Sequence, residues 1–199
     1  PPGLVARALL PHATRVQLRP ITDKTAPVIE LQRVHKSGLF EGATDAATEV
    51  FKYELVITDD KGNTRLTRDP YSFLPTLSEE DLFLFGKGDD RKLHDKLGAQ
   101  LRTVDGVAGT SFAVWAPNAQ RVSVVGTFNG WDGRFHPMRL LGVSGVWELF
   151  IPGVGEGALY KYEIKDALGR TVLKTDPYGF FCEAPPNNAS IVWDNQKFA

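Results

Sequence analysis

Histidines and paired carboxylates have the widest chemical repertoire of the side chains in this sequence. The four histidines are scattered without the close spacing of a metal site: His12, His35, His94 and His136. The acidic runs at 79–81 and 89–90 stand where helices or turns begin, so we interpret them as helix starts and solvated turns rather than as an acid–base pair. No Gly-x-Ser-x-Gly, phosphate-loop or dinucleotide-binding fingerprint occurs. The sequence therefore predicts no catalytic residue, no metal and no cofactor in these 199 residues.

An aromatic motif offers a different chemistry. Residues 126–132 read Gly-Thr-Phe-Asn-Gly-Trp-Asp, in which a strand end runs into a glycine-rich turn. The turn places Trp131 at or near the surface, where an indole can stack on the apolar face of a pyranose ring while Lys, Asn and Asp side chains bind its hydroxyls. The alternative is that Trp131 plugs the end of a β-sandwich, and the residue pattern leaves both interpretations open. Trp115 and Trp147 lie within strand-like runs, so we predict that they are core residues.

The chain has a single cysteine, Cys182, so no disulfide forms within it, and a cytoplasmic location is the simplest expectation. Cys182 follows an aromatic run, Gly-Phe-Phe at 179–181, with no histidine near it in sequence. A reactive cysteine needs a stabilised thiolate, and nothing here supplies one. We therefore predict a buried and inert thiol.

Charge and hydropathy exclude two classes of partner. The formal net charge is −1 and the isoelectric point is about 6.5, which argues against nucleic-acid binding and against attachment to an acidic membrane. No segment approaches the ~20 apolar residues that span a bilayer, and none has the features of a signal peptide. The sequence starts at Pro1 and ends at Ala199 without an evident cap, so we expect it to be part of a longer protein, against which Trp193 would pack.

An internal repeat sets the organisation of the chain. Gly, Pro, Ala and Val coincide when the beginning of the sequence is shifted by 106 residues. Three blocks of the first half recur in the second half in the same order: residues 3–16 as 109–122, 52–55 as 161–164, and 62–73 as 169–180. We interpret the chain as a duplicated domain, because chance similarity does not supply several blocks in the same order.

Both halves have the pattern of antiparallel strands. Residues 146–151 and 159–164 alternate with a period of two and are rich in aromatic side chains. Turn residues interrupt such runs about every 8–12 positions, the spacing of a sandwich. The turns at 60–63 and 168–169 contain a glycine that can adopt positive φ. The sequence therefore predicts an all-β fold made of two tandem β-sandwiches.

A short helical segment is predicted between the two sandwiches. Ser78 precedes three acidic residues, as a helix N-cap does. Leu93 and Leu97 share one face of a second helical run that ends at Gly98. The predicted domains are a first sandwich at 1–75, a helical linker at 76–105 and a second sandwich at 106–199.

The second half resembles carbohydrate-binding module family 48. These β-sandwich modules precede the catalytic barrel in the α-amylase superfamily and also occur in the β subunit of AMP-activated protein kinase. The resemblance covers residues ~106–194, and its motifs follow the family's order: residues 112–119, 124–132, 160–164 and 176–178.

The whole chain resembles the N-terminal part of bacterial 1,4-α-glucan (glycogen) branching enzymes. The segments that carry this likeness are residues 34–42, 69–73, 81–86 and 102–109. It implies two immunoglobulin-like domains, in agreement with the repeat, followed by a catalytic barrel that this chain lacks. It also implies a role in glycogen biosynthesis, in which an α-1,4 linkage is cleaved and the chain is transferred to a 6-hydroxyl by carboxylates on the barrel. The partners implied are α-1,4-glucan or glycogen and the barrel domain of the same protein.

The resemblance to family 48 further implies a carbohydrate-binding site. Trp131 matches a tryptophan that stacks on sugar, and Asn129 belongs to the same motif. Lys161 matches a lysine that contacts sugar hydroxyls. Asn188 and Ser190 fall where glycogen-binding members place polar contacts.

Residues 168–171 depart from the pattern of the kinase-type modules. Those modules carry a second stacking tryptophan in this hairpin, whereas this chain reads Leu-Gly-Arg-Thr. Three functions follow from the sequence: a glucan-binding region of a branching enzyme, a purely structural pair of sandwiches that stabilises the barrel, or a regulatory interaction module. The departure favours the second function over a strong form of the first, and the branching-enzyme segments argue against the third.

Overall fold

The computed structural model describes residues 3–23 and 25–198 of the chain. These residues belong to two units, Pro1–Ser72 and Phe73–Ala199. Each unit is a β-sandwich-like domain of antiparallel strands, which confirms the predicted fold class.

In the described part of the first unit, six strands form the fold: β1 (Leu4–Leu9), β2 (Ala13–Pro20), β3 (Ile29–His35), β4 (Leu39–Thr44), β5 (Tyr53–Asp59) and β6 (Thr64–Thr67). They are hydrogen-bonded in the order β1-β4-β3-β2-β5-β6, and a 3-10 helix, Pro70–Ser72, follows them. β3 pairs with β2 through residues 29–31 and with β4 through residues 32–35, so it passes from one layer to the other. The core between the layers is apolar and includes Val16, Leu18, Ile29, Leu31, Phe40, Leu55 and Ile57.

The described part of the second unit contains nine strands: β7 (Gly98–Val104), β8 (Val107–Trp115), β9 (Ala119–Gly126), β10 (Arg139–Leu140), β11 (Val146–Pro152), β12 (Leu159–Asp166), β13 (Thr171–Lys174), β14 (Phe181–Cys182) and β15 (Ser190–Ile191). One sheet has the order β10-β11-β8-β7. In the other, β12 pairs with β9 on one side and with β13 and β15 on the other, and β14 pairs with β15. The core between the sheets includes Phe112, Val122, Val124, Leu149, Tyr160, Tyr162 and Val192.

An α-helix, α1 (Glu79–Lys87), precedes these strands. It begins at Ser78 as predicted: the Ser78 hydroxyl accepts a hydrogen bond from Asp81 N, and the Asp81 carboxylate accepts one from Ser78 N. It ends at Gly88, which adopts the left-handed conformation. Leu82 and Phe85 of α1 pack into a cluster with residues of β8, β10–β11 and the preceding segment.

The second helical run predicted near Leu93 and Leu97 is only a 3-10 helix, Leu93–Asp95. The prediction was wrong because Gly98 starts β7, which pairs with β8 along its whole length. Part of the range 76–105, predicted as a helical linker, is thus a strand of the second sandwich. Leu93 and Leu97 nevertheless pack into the same hydrophobic cluster, which also contains residues of α1.

The two units share a hairpin of the same geometry. In each hairpin an aspartate, Asp59 or Asp166, accepts hydrogen bonds from the backbone N–H groups two and four residues further on. The glycine three residues after each aspartate has a φ of 81°. The β2–β5 and β9–β12 ladders also both shift register next to this aspartate. This agreement in detail is what duplication of one domain predicts.

Two expectations about burial are wrong. Trp147 is buried as predicted, but Trp115 is 54% exposed because it is the last residue of β8, where its ring meets Phe85 edge-on at 6.0 Å. Cys182 is exposed rather than buried. Among the described strands, β14 is the last one of its sheet, so its side chains lie at an open edge.

Candidate functional site

Trp131 lies in a tight turn directly after β9. A 3-10 helix, Thr127–Asn129, leads into Gly130, and both Gly130 and Trp131 have a φ of 62°. Trp131 N donates to Gly126 O across 3.0 Å. A left-handed backbone is costly for a bulky residue, so surrounding contacts must hold Trp131 in place. The side chain is 40% exposed and lies outside the hydrophobic core cluster, which does not fit a plug at the end of the sandwich.

Asn129 holds this turn together through three hydrogen bonds. Its Oδ1 accepts from Gly126 N, and its Nδ2 donates to Val124 O, both at 2.9 Å. A backbone N–H can only donate and a backbone carbonyl can only accept, so these contacts fix the orientation of the amide. The second Nδ2 hydrogen then points to Nδ1 of His136 at 2.8 Å. Asn129 therefore positions Trp131, and its amide is already engaged within the turn.

The central strand β12 presents alternate side chains to two sides of its sheet. Tyr160 and Tyr162 point into the core and are completely buried. The residues between them face away from the core, because neighbours along a strand point to opposite sides. We refer to this side as the outer face; its residues on β12 are Leu159, Lys161 and Glu163.

The turn that carries Trp131 packs against the outer face. Gly126, where the turn starts, approaches β12 so closely that a β-carbon there would overlap the β12 backbone. A β-carbon on Gly133 would likewise overlap the carboxylate of Glu163. The contact at Gly133 places the turn on the outer face, next to Glu163. A side chain at Gly126 would overlap backbone atoms, whereas a side chain at Gly133 would have to displace the flexible end of Glu163.

Lys161 and Asn188 form a direct pair on this face. Lys161 Nζ donates to Asn188 Oδ1 across 2.5 Å, although the residues lie far apart in sequence. The loop that carries Asn188 is fixed by Thr175, whose hydroxyl donates to Asn188 O at 2.7 Å. The structure thus brings together two residues that the sequence matched separately. An ammonium group and an amide at one surface can donate to and accept from sugar hydroxyls.

Ser190 does not join this group. It is completely buried, and its hydroxyl accepts a hydrogen bond from Asp176 N at 3.0 Å. Ser190 pairs with Tyr160 in the sheet, and directly paired residues point to the same side, which here is the core. The predicted sugar contact of Ser190 is therefore not available, and we leave this residue out of the site.

A polar cluster inside the core contacts the core-facing side of β12. Asp176 is buried, and its Oδ2 accepts hydrogen bonds from the hydroxyls of Tyr160 at 2.6 Å and Tyr162 at 3.1 Å. Burial raises the pKa of Asp176, and hydrogen bonds from both tyrosines and from Tyr178 N partly oppose that shift. Burial and the nearby Asp176 carboxylate also raise the pKa of both tyrosines, so they stay protonated and donate.

The outer face extends beyond the predicted residues. Leu159 pairs with Ile191, which in turn pairs with Phe181, so all three side chains point to the outer face. Phe181 is 47% exposed, and the ring of Trp193 packs against it with 4.7 Å between the ring centres. Sequence reasoning missed this extension because strands of two residues carry no periodic signal. Their register follows only from the pairing.

The acidic run at 79–81 is a helix start, as predicted, and the run at 89–90 is solvated only in part. Residues 79–81 form the first turn of α1. Asp90 departs from the prediction of a solvated turn, because its side chain is only 5% exposed; Asp90 and Asp81 both contact Lys96 Nζ at 2.6 Å. Within residues 3–23 and 25–198, no group of three or more His, Cys, Asp or Glu side chains is arranged to hold a metal ion. In the same ranges no helix is long and apolar enough to cross a membrane.

Comparison with known families assigns both units. Residues 96–179 match carbohydrate-binding module 48 (isoamylase N-terminal domain), and residues 1–71 match the N-terminal domain of alpha-1,4-glucan branching enzyme GlgB. The chain is thus a tandem of β-sandwich-like domains, the second of which matches the family model of carbohydrate-binding module 48.

Individual relatives agree with this assignment over nearly the whole chain. The 1,4-alpha-glucan branching enzyme GlgB of Rubrobacter xylanophilus is 53% identical over 191 residues, which are 96% of this chain and 26% of that protein. The enzyme of the same name from Paramagnetospirillum magneticum is 49% identical over 193 residues, 96% of this chain and 25% of that protein. Among solved structures, an Anoxybacillus pullulanase complexed with maltotetraose aligns over 98% of this chain and 26% of that chain, at 17% identity and a TM-score of 0.45.

The chain corresponds to the N-terminal region of 1,4-α-glucan branching enzymes GlgB. This confirms the resemblance drawn from the sequence. The chain spans about a quarter of the length of the relatives it matches.

Proposed function

We propose that this chain binds α-1,4-glucan and presents it to the catalytic barrel of a branching enzyme. In that enzyme an α-1,4 linkage would be cleaved and the released chain transferred to a 6-hydroxyl. The catalytic carboxylates would lie on the barrel, outside these residues. The contribution of this chain would be to hold glucan near the active site.

The observation that carries the proposal is the strained, half-exposed position of Trp131. A tryptophan at a φ of 62° is stabilised by neither local backbone preference nor full burial, and the Asn129 hydrogen bonds hold it there nonetheless. Strained residues cluster at ligand sites, where the strain keeps a side chain in the binding position. The exposed indole supplies the flat apolar surface on which a pyranose ring stacks.

Polar groups on the outer face complete the proposed site. Lys161 and Asn188 are already joined by a hydrogen bond on the outer face, so part of the cost of ordering these side chains is met before sugar binds. The Lys161 ammonium group has further hydrogens to donate, and the Asn188 amide offers both a donor and an acceptor. Stacking and hydrogen bonding of this kind fit a neutral polysaccharide better than a charged ligand.

The alternative function, a structural pair of sandwiches without glucan affinity, rests on the hairpin after β12. Leu168 in that hairpin is 79% exposed, and no aromatic residue stands at 168–171. A site with one stacking residue binds more weakly than a site with two. We therefore expect an affinity that multivalent glycogen reveals more readily than a short oligosaccharide.

Migration in native gels with and without glycogen tests the proposal. The parent chain should be retarded by glycogen, and Trp131→Ala should migrate as it does without glycogen. Trp115→Ala is the matched control, since it also removes a half-exposed tryptophan of the second unit and should be retarded like the parent. A parent chain that glycogen does not retard would contradict glucan binding. Equal retardation of parent and Trp131→Ala would place the site elsewhere.

A further inference from the structure

The exposed end of the outer face carries an apolar row that the site described above does not use. Leu159, Ile191 and Phe181 stand side by side on three neighbouring strands, β12, β15 and β14. In the adjacent row, on the other side of the sheet, Tyr160 and Ser190 are completely buried, and Cys182 at the sheet edge is exposed. The row is thus a surface feature of the sheet, and Phe181 is its most exposed member.

Phe181 is presented as a flat platform rather than as a loose side chain. The ring of Trp193 lies 4.7 Å from it at an angle of 40°, and both rings belong to the same part of the outer face. Contact with a second ring limits the rotation of Phe181, which lowers the entropy lost when a ligand stacks on it. A supported and half-exposed aromatic ring is the feature that sugar stacking needs.

The row is continuous with the Lys161–Asn188 pair. Lys161 is two residues from Leu159 on the same side of β12, and Asn188 lies in the loop that leads into β15. Since neighbouring strands are about 4.8 Å apart, Phe181 stands about 10 Å across the sheet from β12. The turn with Trp131 follows β9 on one side of β12, and Phe181 lies two strands away on the other side. Lys161, on β12, therefore stands between the two strands from which the aromatic residues are presented.

We propose that Phe181, supported by Trp193, is a second aromatic contact for the same α-glucan chain. It would stack on sugar rings that extend beyond those held at Trp131, with Lys161 and Asn188 binding hydroxyls between the two. This inference rests on the proposed function and assigns the second platform to β14 instead of the hairpin at 168–171. The occupant is glucan rather than a following protein segment because the row adjoins the Lys161–Asn188 pair, whose polar groups suit sugar hydroxyls.

Chain-length dependence of binding tests the inference on the 199-residue chain. Isothermal titration with maltotriose and with maltoheptaose compares a short probe with one long enough to reach both rings. The parent chain should bind maltoheptaose more tightly than maltotriose. Phe181→Ala should lose about tenfold in affinity for maltoheptaose and little for maltotriose. Val143→Ala, which shortens a fully exposed side chain in the turn before β11, is the control and should match the parent.

The outcomes separate this inference from the function on which it rests. If Trp131→Ala abolishes binding of both probes while Phe181→Ala leaves both affinities unchanged, the second platform is refuted and glucan binding stands. If the parent binds neither probe nor glycogen, the proposed function fails and the second platform fails with it.

A direct signal from Trp193 provides a second measurement. Its indole N–H resonance, assigned with Trp193→Phe, should shift on addition of maltoheptaose and not on addition of maltotriose. An unchanged resonance at saturating maltoheptaose would overturn the inference even if Phe181→Ala weakened binding through a change in the fold.

Discussion

Tyr160 donates its hydroxyl hydrogen to Asp176 across 2.6 Å, and both side chains are buried beneath the outer face. Tyr162 donates to the same carboxylate oxygen at 3.1 Å. The first unit has an equivalent contact, in which Tyr53 donates to Asp69 at 2.6 Å. The internal repeat aligns Tyr53 with Tyr162 and Asp69 with Asp176. The hydrogen bond between a strand tyrosine and an aspartate further along the chain therefore occurs in both units. It belongs to the duplicated fold rather than to the glucan site.

Replacement of Asp176 should destabilise the second unit. Asp176→Ala leaves two buried tyrosine hydroxyls without their acceptor, and each such loss costs about 1–3 kcal/mol, so we expect the free energy of unfolding to fall by about 3 kcal/mol. Asp176→Asn retains a carbonyl oxygen that accepts both hydrogen bonds and should lose clearly less. All four tryptophans lie in the second unit, so their fluorescence during urea denaturation follows that unit alone.

The matched control for this prediction is Asp69→Ala in the first unit. It removes the acceptor of one tyrosine only, and it should leave the tryptophan-detected transition unchanged. If Asp176→Ala and Asp176→Asn were equally destabilised, the loss would come from something other than the missing acceptor.

Asn129→Asp should weaken glucan binding without removing any group that touches sugar. The substitution places a carboxylate oxygen where Nδ2 now donates to Val124 O, so two acceptors face each other and the turn rearranges. We expect retardation by glycogen to fall toward that of Trp131→Ala. Asn118→Asp makes the same chemical change at an exposed turn position of the second unit and should leave retardation unchanged. Parent-like retardation of Asn129→Asp would show that the turn does not depend on this amide.

At position 131 a glycine variant should be more stable than an alanine variant, the reverse of the usual order of stability. At a φ of 62° a β-carbon is strained and glycine is not, so Trp131→Gly should be more stable than Trp131→Ala by about 1 kcal/mol. Both variants lack the indole and should bind glycogen equally poorly. Thermal unfolding of the two variants under identical conditions measures the difference. A more stable alanine variant would mean that the turn relaxes to another conformation once the ring is gone.

Much of the fold was predictable because it depends on local signals. The alternation in β11 and β12, the turn glycines and the Ser78 cap are each encoded within a few residues, and the repeat linked the two sandwiches. Trp115 shows where this reasoning fails. A strand pattern gives the side to which a residue points, but it does not reveal that the strand ends there and leaves the ring beyond the core.

The candidate site was less predictable because it depends on contacts between distant residues. The turn residues indicated an exposed Trp131, but the pairing of Lys161 with Asn188 follows from the way β15 returns beside β12. Ser190 was misplaced for the same reason, since its register opposite Tyr160 decides that it faces the core. Phe181 gave no signal, because its strand has two residues and its side is fixed only by pairing.

Asp81, in the first turn of α1, is predicted to make a contribution to stability that is lost in acid. Burial would by itself raise the pKa of Asp81, but hydrogen bonds from Lys96 and Ser78 outweigh it and lower that pKa from 3.8 to about 2. Because the pKa is lower in the folded chain, the ionised carboxylate stabilises the fold above about pH 4, and this stabilisation, at most about 2 kcal/mol, is lost as the pH falls toward 2. Urea denaturation between pH 2 and pH 5 should therefore show a weaker pH dependence for Asp81→Asn than for the parent. Asp89→Asn, which changes an exposed carboxylate nearby, should keep the parent's dependence, and a parent-like slope in Asp81→Asn would contradict the assignment.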